Sequence, residues 1–130
     1  MGEGAVDPRS MLPVAGKPPQ VVYKWGFVCL NLATGEILWR RDATEQMPSI
    51  PAHPSNTYAT ETPATDGKQV YLQFGSIGKF FAFDLDGNLQ WEVDLGLQTM
   101  AAGFGTGSSP IVHDGKVIVQ CYNADNAVLR

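Results

Sequence analysis

The sequence predicts an all-β chain: a β-propeller fragment of four-stranded antiparallel blades, with one complete blade between two partial ones. Three observations lead there. Short stretches rich in Val, Tyr, Phe and Trp are cut at close intervals by Gly, Pro and Asp turns. Two pairs of these stretches repeat along the chain. The spacings between the repeats differ by the length of a single loop.

The first pair ends each blade. Asn31-Leu32-Ala33-Thr34-Gly35-Glu36-Ile37-Leu38-Trp39 reads as strand, turn, strand, and Asp84-Leu85-Asp86-Gly87-Asn88-Leu89-Gln90-Trp91 repeats it with a turn one residue shorter. Asp86-Gly87 predicts a tight hairpin in which both central residues need φ > 0. The second pair opens each blade. The thirteen residues from Thr62 to Phe74 align without gaps on those from Ser109 to Cys121, so that Pro63 falls on Pro110, Val70 on Val117 and Gln73 on Gln120. Val70, Leu72 and Phe74 alternate along one face, and Val117, Val119 and Cys121 repeat that face.

The spacings check one another. Trp39 and Trp91 are 52 residues apart, and Pro63 and Pro110 are 47 apart. Trp39 to Pro63 is 24 residues against 19 from Trp91 to Pro110, and a loop longer by five accounts for the whole difference. A period near 50 with about four strands per unit marks a propeller blade. The elements follow in order. Residues 1–20 form an irregular N-terminal segment. Residues 21–41 end the first, partial blade, and residues 42–59 are an inter-blade loop. Residues 60–95 form the complete blade, with strands near Pro63 and over residues 69–74, 79–85 and 88–94. Residues 96–107 are a second inter-blade loop, and residues 108–130 start a third, partial blade that reaches its second strand.

Composition narrows the partners. The net charge of −4 argues against nucleic acid, which wants a basic face. No apolar run approaches ~18 residues, so no membrane insertion is expected. The first twenty residues carry Glu3 and Asp7 and are broken by Pro8, Pro13, Pro18 and Pro19, so no signal-peptide core is expected in them. Cys29 and Cys121 sit inside apolar strand patterns and read as buried free thiols, since a whole blade separates them. His53 and His113 fall in connections on opposite rims and have no further ligand at metal spacing, so no metal is expected. The run Gly103-Phe104-Gly105-Thr106-Gly107 lacks the Gly-Lys-Ser/Thr ending and following helix of a phosphate-binding loop. No nucleophile elbow or acid–base pair stands out, so no catalytic residue is expected.

The strand, Thr-Gly or Asp-Gly turn and Trp pattern resembles the pyrroloquinoline-quinone (PQQ) repeat. The runs His53-Pro54-Ser55-Asn56-Thr57-Tyr58-Ala59-Thr60-Glu61-Thr62-Pro63 and Gly103-Phe104-Gly105-Thr106-Gly107-Ser108-Ser109-Pro110 are similar to those of secreted bacterial propeller proteins with PQQ-binding-like repeats. The resemblance covers about residues 21–129. It implies a parent protein in the periplasm or secreted, with Gly35, Trp39, Pro63, Gly87, Trp91 and Pro110 as structural repeat positions. It also implies that Trp39 and Trp91 pack between neighbouring blades, as a flat indole burying ~150–250 Å² can do. Quinone-using relatives hold the cofactor against a vicinal Cys-Cys disulfide beside calcium. This chain has no adjacent cysteines and no identifiable acid–amide calcium pair, so no cofactor is expected.

The expected function is therefore a non-catalytic scaffold or binding surface. The candidate binding rim is Asn56, Tyr58, Glu61, Phe104 and Thr106, which mix aromatic and polar groups in or beside the two inter-blade loops and would take a protein or small ligand. The same residues could equally serve only to pack the loops together. Two other readings stay open: part of a quinoprotein oxidoreductase whose catalytic blades lie outside this chain, and the extracellular sensor domain of a membrane kinase. With a blade face open at each end, the chain is also expected to self-associate.

Overall fold

The computed structural model describes residues 16–98, 105–121 and 128–129. Its strands are β1 (Tyr23–Leu30), β2 (Ile37–Gln46), β3 (Ala64–Thr65), β4 (Gln69–Phe74), β5 (Lys79–Asp84), β6 (Leu89–Asp94), β7 (Ile111–His113), β8 (Lys116–Ile118), β9 (Gln120–Cys121) and β10 (Val128–Leu129). A 3-10 turn, Gly75–Ile77, joins β4 to β5. All pairings are antiparallel. β3-β4-β5-β6 form a four-stranded meander in sequence order, which is the complete blade. β1-β2 are the outer strands of the first blade, and β7-β8 are the opening strands of the third.

Two boundaries differ from the sequence reading. β2 runs to Gln46 and so takes the first five residues of the expected 42–59 loop. Lys24 bridges Asp42 and Glu45 at 3.5 and 3.4 Å, and Trp25 donates its Nε1–H to the Gln46 carbonyl at 2.9 Å, which holds the long hairpin together. The third blade goes beyond its second strand, since β10 pairs with β9.

The turn chemistry is corrected too. Gly87 has φ 82°, but Asp86 does not share the positive φ expected of it. Asp84 N donates to Asn88 O at 2.9 Å and Gly87 N to Asp84 O at 3.1 Å, so three residues form the loop, with the glycine alone in the left-handed region. The two-residue turn with both φ positive occurs instead at Asp114-Gly115, where φ is 48° and 68°. Asp84 Oδ1 accepts the backbone N–H of Asp86 and of Asn88. Asn31, at the equivalent place in the first blade, accepts those of Ala33 and Thr34 in the same way. The hydrogen bonds from Asn88 hold the Asp84 carboxyl below the usual carboxylate range.

Both faces of the complete blade are covered. On one face Leu72, Phe74, Phe81 and Phe83 pack with Trp25, Phe27 and Ala43 of the first blade. On the other, Tyr71, Phe80 and Ala82 pack with Val112, Val117, Val119 and Cys121 of the third. The same strand face, Val70–Leu72–Phe74 or Val117–Val119–Cys121, thus looks toward the preceding blade in each case. Both cysteines are free thiols; Cys121 is buried, whereas Cys29 is only half-buried. Trp39 stands edge-on to Phe27, with centroids 5.3 Å apart, at the seam between the first two blades. The Arg41 guanidinium lies over the Trp39 ring at 5.2 Å and donates across that seam to the Gly87 and Asp86 carbonyls at 3.1 and 3.2 Å. Trp91 stacks on Phe80 of its own blade and stays 39% exposed.

Two outcomes test these turns. A side chain at Gly87 would meet Arg41 at 2.8 Å and Trp39 at 3.1 Å, whereas one at Gly35, also at positive φ, would meet open space. Gly35→Ala is expected to cost about 1–2 kcal/mol from the left-handed backbone alone. Gly87→Ala should cost more, because it also disturbs the Arg41 latch; urea midpoints of the two variants would show the order. Second, the lowered Asp84 pKa stabilises the fold above the unfolded-state value, and that share is lost as pH falls through the folded value. Asp84→Asn should keep the turn, as Asn31 does, and flatten the acid limb of a pH–stability curve below about pH 4.

Candidate functional site

The loops between blades and the Gly75–Ile77 turn come together at one end of the strands. The reason lies in the meander: a second-to-third-strand connection and an inter-blade loop both start from the same rim. Ser49 N donates to Ser76 O at 3.2 Å, and Leu95 N to Gly78 O at 2.8 Å, so both inter-blade loops are tied to this turn by backbone bonds.

At the centre is Glu61. One of its carboxylate oxygens accepts the Gly75 N–H at 3.0 Å and the Thr106 hydroxyl. Thr106 is buried, its hydroxyl lies 3.5 Å from Ser76 Oγ, and its carbonyl accepts Thr60 Oγ1–H at 3.0 Å. Thr62 N donates to Ser109 Oγ at 2.8 Å, joining the entries to two successive blades. Gly75 is required by close approach, because a Cβ there would stand 2.6 Å from Thr106 Oγ1. Three segments, distant in sequence, are knotted by one carboxylate and one threonine.

The other rim candidates flank this knot. Tyr58 is half-buried and donates its hydroxyl to Ile50 O at 3.2 Å, and its burial raises its pKa. Asn56 accepts Thr57 N–H at 2.8 Å through its side-chain oxygen. Phe104 lies outside the described residues. His53 is on this rim, with Nδ1 2.6 Å from Ser55 Oγ, whereas His113 ends β7 at the opposite rim. Among the described residues no three His, Cys, Asp or Glu side chains converge.

Two clefts open beside the knot. One, of about 380 Å³, is lined by Ser55, Asn56, Thr60, Gly105, Thr106, Gly107 and Ser108, with no charged side chain. The other, of about 310 Å³, is lined by Tyr23, Trp25, Tyr58 and Phe74 with Lys24 at its margin. The Trp25 and Tyr58 rings meet edge to face at 5.8 Å, and Trp25 and Phe74 at 5.5 Å. Tyr23 and Trp25 were not singled out from the sequence. Trp25 occupies the place that Gly78 holds in the next blade, so the repeat gave no signal there. The aromatic alternation of Tyr23, Trp25 and Phe27 is the signal that could have found them.

Residues 7–130 match the profile of a PQQ-repeat family described as outer membrane protein assembly factor BamB. The chain belongs to this family. No curated protein and no solved structure matches it. Membership agrees with the blade geometry above. Among the described residues no helix is long and apolar enough to cross a membrane.

The knot generates a direct test. Thr106→Val keeps the shape but removes one hydrogen bond from the Glu61 carboxylate. It should cost about 1.5–3 kcal/mol, the range for a bond to a charged group, and speed exchange of the Gly75 amide. Thr106→Ser should restore both in denaturation and hydrogen-exchange measurements.

Proposed function

We propose that this chain is a non-catalytic blade segment of a PQQ-like repeat protein, and that its rim of inter-blade loops is a binding surface on a rigid scaffold. The knot of Glu61, Thr106 and Gly75 carries this reading. It holds two loops and a turn in one arrangement, and a preorganised surface binds at lower entropic cost than a mobile one. Beside it lie an uncharged polar cleft and an aromatic one, the mixture from which ligand mouths are built. By family, the parent protein works in the periplasm or at the outer membrane.

The quinone for which the repeat is named does not suit the residues present. There is no vicinal cysteine pair to sit against its ring. The rim carboxylate, Glu61, already spends one oxygen on Gly75 and Thr106, and among the described residues no three His, Cys, Asp or Glu side chains converge to hold calcium.

Titration with pyrroloquinoline quinone and calcium, followed by tryptophan fluorescence, is expected to show no saturation. Saturable binding at micromolar quinone would replace this reading with a quinoprotein segment.

A further inference from the structure

Among the described residues the buried polar side chains are Gln73, Ser76, Gln98 and Thr106. All of them belong to the rim that carries the Glu61 knot. Ser76 lies in the turn after β4, and Gln98 is on the loop that Leu95 ties to Gly78. Thr106 has a strong partner in Glu61. The others are less well served. Both amide atoms of Gln73, which is 4% exposed, and the amide nitrogen of Gln98 hydrogen-bond to no group among the described residues. The Ser76 hydroxyl meets Thr106 Oγ1 at 3.5 Å, beyond the ~2.5–3.0 Å of an ordinary O–H···O bond.

Geometry brings Gln73 to the Ser76–Thr106 pair. Side chains two apart along a strand share a face. Phe74, between Gln73 and Gly75, is close to extended at φ −122° and ψ 84°, so Gln73 and the Cβ direction of Gly75 point to one side. A Cβ on Gly75 would stand 2.6 Å from Thr106 Oγ1. The Thr106 hydroxyl therefore lies on the side to which Gln73 points, about 7 Å along the strand. This side faces the third blade, and Tyr71 and Phe80 flank Gln73 on it. An amide closed off from water without a partner is rare and costly, and an apolar residue there would avoid the cost.

We propose that the seam between the complete and third blades encloses a hydration site beneath the knot, where ordered water is held by the Gln73 amide and bridges to the Ser76 and Thr106 hydroxyls. Water matches the groups present. Gln73 offers an acceptor in Oε1 and a donor in Nε2. Ser76 has a hydroxyl proton to give, and Thr106 Oγ1, having given its own to Glu61, keeps lone pairs to accept. A buried water molecule makes about three hydrogen bonds, both given and received. An ion is not matched, because the amide and the two hydroxyls are neutral. The Thr106 hydroxyl that fixes Glu61 is thereby positioned from below by water. The site is enclosed between strands of this chain, so it does not depend on residues before or after it, and it stands whether or not the rim above takes a ligand.

Magnetic relaxation dispersion of the water oxygen nucleus reads long-lived water molecules and not hydroxyl groups. Its amplitude should fall in Gln73→Leu, which fills a similar volume without hydrogen-bonding, and should stay unchanged in Gln90→Leu, whose amide is exposed at the outer hairpin. A crystal structure of the unaltered chain, which needs no variant to fold, should show ordered water within hydrogen-bond distance of Gln73 Oε1 and Nε2. An amplitude unchanged in Gln73→Leu, an equal loss in Gln90→Leu, or a protein group bonded to the Gln73 amide in place of water would each overturn the proposal.

Discussion

The structure rests on the two-sidedness of a buried strand. Phe81 and Ala82 are neighbours in sequence, point to opposite faces of β5, and are 1% and 0% exposed. Burying a phenylalanine contributes about 1.5–3 kcal/mol, and β5 carries Phe80, Phe81 and Phe83 in one strand. None of that is realised by the blade alone. One face needs Trp25 and Phe27 from the blade before, and the other needs Val117, Val119 and Cys121 from the blade after. The repeat is therefore a physical requirement: each unit presents the surface that its neighbour lacks.

The same constraint sorts polar groups to the strand ends. Interiors filled on both faces leave no room for a ligand, so turns and loops must do the polar work. At the outer hairpins the task repeats while the residue varies. Asn31 and Asp84 each accept two backbone N–H groups, one as a neutral amide and one as a carboxylate. The geometry is common to both blades, but only the second hairpin answers to pH. Across the seam, Arg41 binds the backbone carbonyls of the next turn rather than a side chain, so the latch depends on that turn's shape and not on its side chains.

These differences explain what could be read from the sequence. β4 was legible to the residue, because a half-repeat aligned without gaps on its counterpart and the period-two pattern was unbroken. The seam faces were legible for the same reason. The identity of the Asp86-Gly87 turn was not, because Asp-Gly suits several turn types and the choice is made by the bulge between Ala82 and Phe83 in the β5–β6 ladder. The length of β2 was hidden by its charged sequence, where Asp42 and Glu45 resemble a loop until Lys24 is seen between them. On the rim, Glu61 and Thr106 were noticed for composition, but their bond spans 45 residues and has no local signature. Trp25 was missed because it breaks the repeat.

That last point separates where this chain keeps its fold from where it can acquire a function. A repeat records only what every blade needs, namely seam residues and turns. Groups specific to one place, such as Trp25 where the next blade has Gly78, fall outside it, and here they gather at the rim. Most of the five extra residues between Trp39 and Pro63 lie in β2, which runs seven residues past Trp39 where β6 runs three past Trp91, so Asn56 and Tyr58 reach the clefts by their identity and not by a longer loop. The two inter-blade connections are nearly equal in length, and the Glu61 knot ties both to the Gly75–Ile77 turn. A propeller can in this way alter its rim without disturbing its blades, and so membership of a repeat family determines the architecture here and leaves the ligand to the loops.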